Sequence, residues 1–152
     1  MKRLALLLVL MGCLVLPGLA QTVSFRGGVV LEPSQDTPKP KGLVGFVVGN
    51  GDTRNITTFT LASVESQTVT GVRTGVERTL FKLSAVEIAA CGEVGFVLGQ
   101  DTTSGDFSGC TVVIVPIKWG FAAVITGGAR NAPATGGTWD PQTSISLQWT
   151  PK

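Results

Sequence analysis

From Thr22 to Thr150 the chain is a succession of short Val, Ile, Thr and Phe runs broken by clusters of Gly, Asn, Asp and Pro, and this pattern admits little but β-structure. The runs predict about nine short strands, at 22–31, 43–49, 54–62, 66–73, 76–83, 93–99, 110–117, 119–126 and 143–150. Several alternate cleanly. Ile56, Thr58 and Thr60 oppose Thr57, Phe59 and Leu61, while Ile145, Leu147 and Trp149 oppose Ser144, Ser146 and Gln148. Successive side chains of a strand point to opposite faces, so one face of each should be buried and the other wet. Asn50-Gly51-Asp52 between two apolar runs reads as a hairpin turn. The segment 84–91, SAVEIAAC, is the exception, since Ser84 and Glu87 have the spacing of a capping box and fit one helical turn as well as a half-buried strand. Short strands with frequent turns and few helix formers predict an all-β fold, an antiparallel β-sandwich, with an open β-barrel as the alternative.

The first twenty residues stand apart from this pattern. Lys2 and Arg3, the apolar run Leu4 to Leu16, and the small-residue exit before Gln21 together read as a signal peptide over 1–20. Leu10-Met11-Gly12-Cys13 loosely resembles a lipidation box, but Met11 is bulky and the apolar run continues past Cys13, which favours a cleaved leader. The domain organisation expected is therefore a leader at 1–20, an N-terminal strand and Pro-rich linker at 21–41, and a β-sandwich domain at 42–152. The product is expected outside the cytoplasm, secreted or at the cell surface, with the periplasm in transit. No later segment has the roughly 20 apolar residues of a spanning helix, so no membrane span is expected.

Charge and cysteine usage narrow the function classes. Beyond the leader ten Lys+Arg balance ten Asp+Glu, so there is no electrostatic footprint for nucleic acid. Two cysteines remain, Cys91 and Cys110, and in an oxidising compartment they predict one disulfide, closing a loop of eighteen intervening residues. The chain contains no histidine, which removes the usual Ser-His and Cys-His nucleophile pairs. Asp101 and Asp106 are the candidate carboxylate pair, but both fall in DTTSGDFSG, which reads as a solvated loop, as do Asp52 and Asp140. No enzyme, metal site or cofactor is expected. Trp139, in a loop between Gly-Thr and Asp-Pro, is the candidate ligand-binding aromatic. Asn55-Ile56-Thr57 has the form of a glycosylation sequon within a strand. GLVGFVVGNGDT (42–53) and GEVGFVLGQDTT (92–103) match closely, as a duplicated hairpin would or as Gly-Phe-Val strands of a glycine-rich β-protein do by convergence.

The strand TVSFRGGVVL is followed by EPSQDTPKPKG, whose three prolines interrupt regular pairing. A patterned strand on such a leash suits strand addition to a neighbouring molecule. Thr22, Val23, Phe25, Gly27, Val29 and Val30, together with the closing strand SISLQWT, make the chain similar to fimbrial subunits of the chaperone-usher type. The resemblance implies an incomplete sandwich that assembles by strand exchange, with self-association and an assembly chaperone as partners. Val23, Phe25, Gly27, Val29 and Leu31 would then fill an acceptor groove. The functional expectation is a structural subunit of an extracellular filament or surface assembly, and the alternative is a monomeric carbohydrate- or ligand-binding module using Trp139.

Overall fold

A computed structural model of the chain describes residues 22–32, 40–64, 67–98, 103–131 and 138–151. The expected leader at 1–20, Cys13 and Asp101 lie outside the described residues. Eight antiparallel strands follow in order: β1 (Thr22–Leu31), β2 (Lys41–Asn50), β3 (Thr53–Val64), β4 (Gln67–Leu83), β5 (Val86–Leu98), β6 (Thr103–Pro116), β7 (Phe121–Asn131) and β8 (Trp139–Trp149). Each pairs with the next, and β1 also pairs with β8, so the sheet closes into an up-and-down barrel.

The closed barrel replaces the expected sandwich. A sandwich needs two sheets with free edges and an apolar layer between them, whereas here every strand has a neighbour on both sides. β1 is one stave of this wall, held by β2 on one edge and β8 on the other, so the boundary expected at 41/42 falls at the start of β2 inside a continuous unit. The prolines of the expected linker lie largely outside the described residues. The expected strands 66–73 and 76–83 are one strand, because Gly75 is a close approach and not a break: a Cβ there would come within 2.0 Å of the Gly92 carbonyl oxygen. Segment 84–91 forms no helical turn; Ser84 and Ala85 make the β4–β5 connection and β5 begins at Val86. DTTSGDFSG is not a loop throughout, since β6 begins at Thr103 and Asp106 pairs with Gly95.

The turn at 50–53 forms as expected, with Gly51 at φ 68° and Asn50 opposite Thr53. Following register partners from Phe25 through Phe46, Thr57, Thr74, Val94, Phe107 and Asn131 leads to Trp139. Trp139 stands ten residues before Trp149, the β8 partner of Phe25, so the circuit closes with a stagger of ten residues. Such a stagger requires strands tilted by about 40° to the barrel axis. A ten-residue strand about 33 Å long then crosses roughly 25 Å of height.

Candidate functional site

The barrel has its polarity reversed relative to a water-soluble β-domain. Among the described residues twenty-two large hydrophobic side chains are exposed, against nine buried hydrophobic residues and twelve buried polar or charged ones. On β8 the inward residues are Gln142, Ser146 and Gln148, while Ile145, Leu147 and Trp149 face out. The two faces expected from the alternation are both present, with the polar one inside. The expected strand-exchange residues follow the same rule. Val23, Phe25, Gly27, Val29 and Leu31 all lie on the outer wall, Phe25 at 50% exposure, while Ser24, Arg26 and Val30 point inward.

Inside, two connected networks use side chains from all eight strands. In the first, Glu77 has no accessible surface and receives Arg26 at 2.9 Å and Arg54 at 2.9 Å. Arg26 also donates through Nε to Gln148 at 2.8 Å, and Arg54 continues to Glu87, which accepts from the Thr79 hydroxyl at 2.6 Å. In the second, Arg73 grips Asp106 with two nitrogens at 2.9 and 3.3 Å and donates to Gln142 at 3.2 Å. Arg130 lies 3.7 Å from Asp106 and pairs with Glu32 at 3.0 Å, where Lys41 joins at 2.6 Å. Gly95 makes room for this network, because a Cβ there would sit 2.4 Å from the Arg73 side chain. Burying so many charges is tolerable only because each meets an opposite charge or a hydrogen-bond partner.

A cavity of about 40 Å³ lies between the networks, bordered by Arg26, Thr58, Arg73, Glu93, Gln142 and Ser146. That volume suits a few water molecules and no larger ligand. Cys91 and Cys110 face each other across β5 and β6 and are disulfide-bonded, with Cα atoms 5.0 Å apart. They border a small apolar cluster of Ala89, Val112, Ile114, Ala122 and Val124 inside the β5–β7 wall.

Outside, one aromatic group lies toward each end of the barrel. Phe25 stacks with Trp149 at 6.1 Å and Phe121 lies 6.4 Å from the same indole, at the end that carries the first residue of β1 and the last of β8. At the opposite end Trp139 meets Phe107 edge-on at 5.3 Å. Trp139, expected in a loop as a ligand-binding residue, is the first residue of β8 and belongs to this outer group. Asp106, expected in a solvated turn, is buried in an ion pair, and Asp140 is half-buried opposite Arg130. Asp52 does occupy an exposed turn, paired with Lys82 at 3.2 Å.

Sequence reasoning missed the interior charges. The signal was present in Phe25-Arg26-Gly27, Val72-Arg73-Thr74 and Val76-Glu77-Arg78, where a charge keeps step with the polar face of a strand. That pattern describes equally well a sheet with one wet face, so alternation alone points either way. Comparison of the sequence with protein-family models and with curated proteins finds no match.

Proposed function

We propose that this protein is a transmembrane β-barrel of a bacterial-type outer membrane, an integral scaffold with a sealed interior. The observation that carries the reading is the reversed polarity: an apolar outer wall around a charged, internally paired interior. Water-soluble monomers rarely leave contiguous apolar patches beyond a few hundred Å², and an outer wall of this composition facing water would drive aggregation. In a bilayer the same wall is solvated by lipid, and barrel closure leaves no backbone edge unpaired.

Three further features support it. The height of about 25 Å matches the apolar band of such barrels, and aromatic girdles at both ends are characteristic of them. The connections are uneven: β2–β3, β4–β5 and β6–β7 are joined by two, two and four residues, whereas β1–β2, β3–β4, β5–β6 and β7–β8 on the other end take nine, two, four and seven. Short periplasmic turns and longer external loops are the usual arrangement. Among the described residues no helix is long and apolar enough to cross a membrane, a criterion that concerns helices and not strands.

The reading keeps the surface location expected from the leader and replaces fibre assembly with insertion. Eight strands leave a lumen just wide enough for side chains, so Arg26, Glu77, Arg73 and Asp106 act as a plug, and solute passage is not its role. What it offers the outside is the long-connection end. The chain expressed with its leader in a Gram-negative host should fractionate with the outer membrane and resist alkaline carbonate extraction. Recovery as a monodisperse soluble monomer would overturn the proposal.

A further inference from the structure

Among the described residues one charged side chain stands on the outward face of the strands. Arg78 is exposed, flanked along β4 by outward Val76 and Leu80, and placed by register between Thr53 of β3 and Ala90 of β5. It makes no hydrogen bond or ion pair with the described residues, whereas the interior arginines 26, 54, 73 and 130 are all paired. Its level is set by the backbone. Thr53 is the first residue of β3, and the neighbouring Thr79 N–H donates to the Asp52 carbonyl at 2.7 Å, so Arg78 is level with the β2–β3 turn at the short-connection end. Thr53, directly opposite, and Asn55, diagonal to it through Val76, supply neutral polar groups on the same outward face.

An unpaired guanidinium at the edge of an apolar wall needs an anion or water, and a long side chain reaches toward the interface to find one. We infer that Arg78, with Thr53 and Asn55 beside it, binds the phosphate of a lipid in the leaflet at the short-connection end. A planar guanidinium presents several donors to phosphate oxygens, and a hydroxyl and an amide supply further donors at neighbouring register positions. The inference rests on the membrane-spanning reading above and adds a ligand class to it.

The test uses the full mature chain in nanodiscs of phosphatidylcholine mixed with phosphatidylglycerol, released into the gas phase for native mass spectrometry. The wild type should retain phosphatidylglycerol in preference to phosphatidylcholine, Arg78→Ala should lower that preference about fivefold, and Arg78→Lys should keep most of it. Added inorganic phosphate should leave the retained lipid in place, since the acyl chains hold the headgroup at this level. Equal lipid retention by wild type and Arg78→Ala would overturn the assignment. So would displacement by inorganic phosphate, or a loss of dimers in place of lipid, which would make this face a contact between copies. Failure of the wild type to enter nanodiscs at all would instead count against the membrane reading.

Discussion

Glu77 shows how much a single side chain organises here. It lies on β4 with no accessible surface and ties Arg54, its register partner on neighbouring β3, to Arg26 of β1 across the interior. Removing its charge leaves the buried Arg26 guanidinium without a carboxylate and Arg54 with Glu87 alone, and breaking a buried pair costs about 3–5 kcal/mol. Glu77→Gln should therefore lower the unfolding free energy by that amount in detergent-solubilised urea titrations. Glu93 is the internal control. It borders the same cavity, but among the described residues its carboxylate makes no ion pair and meets Ser108 at 3.4 Å. Glu93→Gln should change stability by less than about 1 kcal/mol. The contrast was not legible in the sequence, where Val76-Glu77 and Gly92-Glu93 look alike. Residue type reports that a carboxylate is present; which cations face it depends on residues 51 and 23 positions away, one met across the lumen and the other set opposite by the β3–β4 register.

At the scale of elements, β1 and the β5–β6 hairpin carry the tests. β1 fills the seam between β2 and β8, so a chain beginning at Lys41 loses both pairings at once and exposes two strand edges. It should fail to give a discrete folded species in micelles, as judged by light scattering and circular dichroism. A well-folded monomer from that truncation would restore β1 as a detachable strand available for exchange. The disulfide acts within one hairpin, between directly opposed residues of β5 and β6. Closing a loop of this length is worth about 3 kcal/mol in the chain-entropy model. The double variant Cys91→Ser/Cys110→Ser should remain folded with its unfolding midpoint lowered by at most that much, since the flanking register pairs persist. The cysteine pairing was readable by elimination, and so was the Gly51 turn, because both rest on local chemistry. The β4 reading failed for a tertiary reason, as Gly75 marks where one strand passes close to its neighbour.

For the molecule as a whole, the decisive contrast is between adjacent residues on opposite faces. Ile145 lies in the middle of β8 on the outer wall at 56% exposure, and Ser146 beside it is buried in the interior. In a bilayer an arginine near mid-height on the lipid face costs about 2–4 kcal/mol, whereas on a wall facing water a surface substitution stays within about 0.5 kcal/mol. Ile145→Arg should accordingly destabilise the barrel in vesicles by the larger amount, measured by urea-dependent unfolding from the membrane. An effect within 0.5 kcal/mol would mean that lipid does not cover this face.

Residue order alone marks an all-β chain, strands with two chemically distinct faces, the place of the Gly51 turn, and the cysteines that join. Whether the apolar face turns inward or outward was decided by tertiary structure alone. A period of two is unchanged when the faces are exchanged, so alternation carries no label for inside. Inside exists only once β8 closes on β1 with a stagger of ten residues, and closure is a property of all eight registers together. With that closure the lumen is narrow, and paired arginines and carboxylates share it with the small apolar cluster around Val112 and Val124 while the phenylalanines and tryptophans are left on the wall.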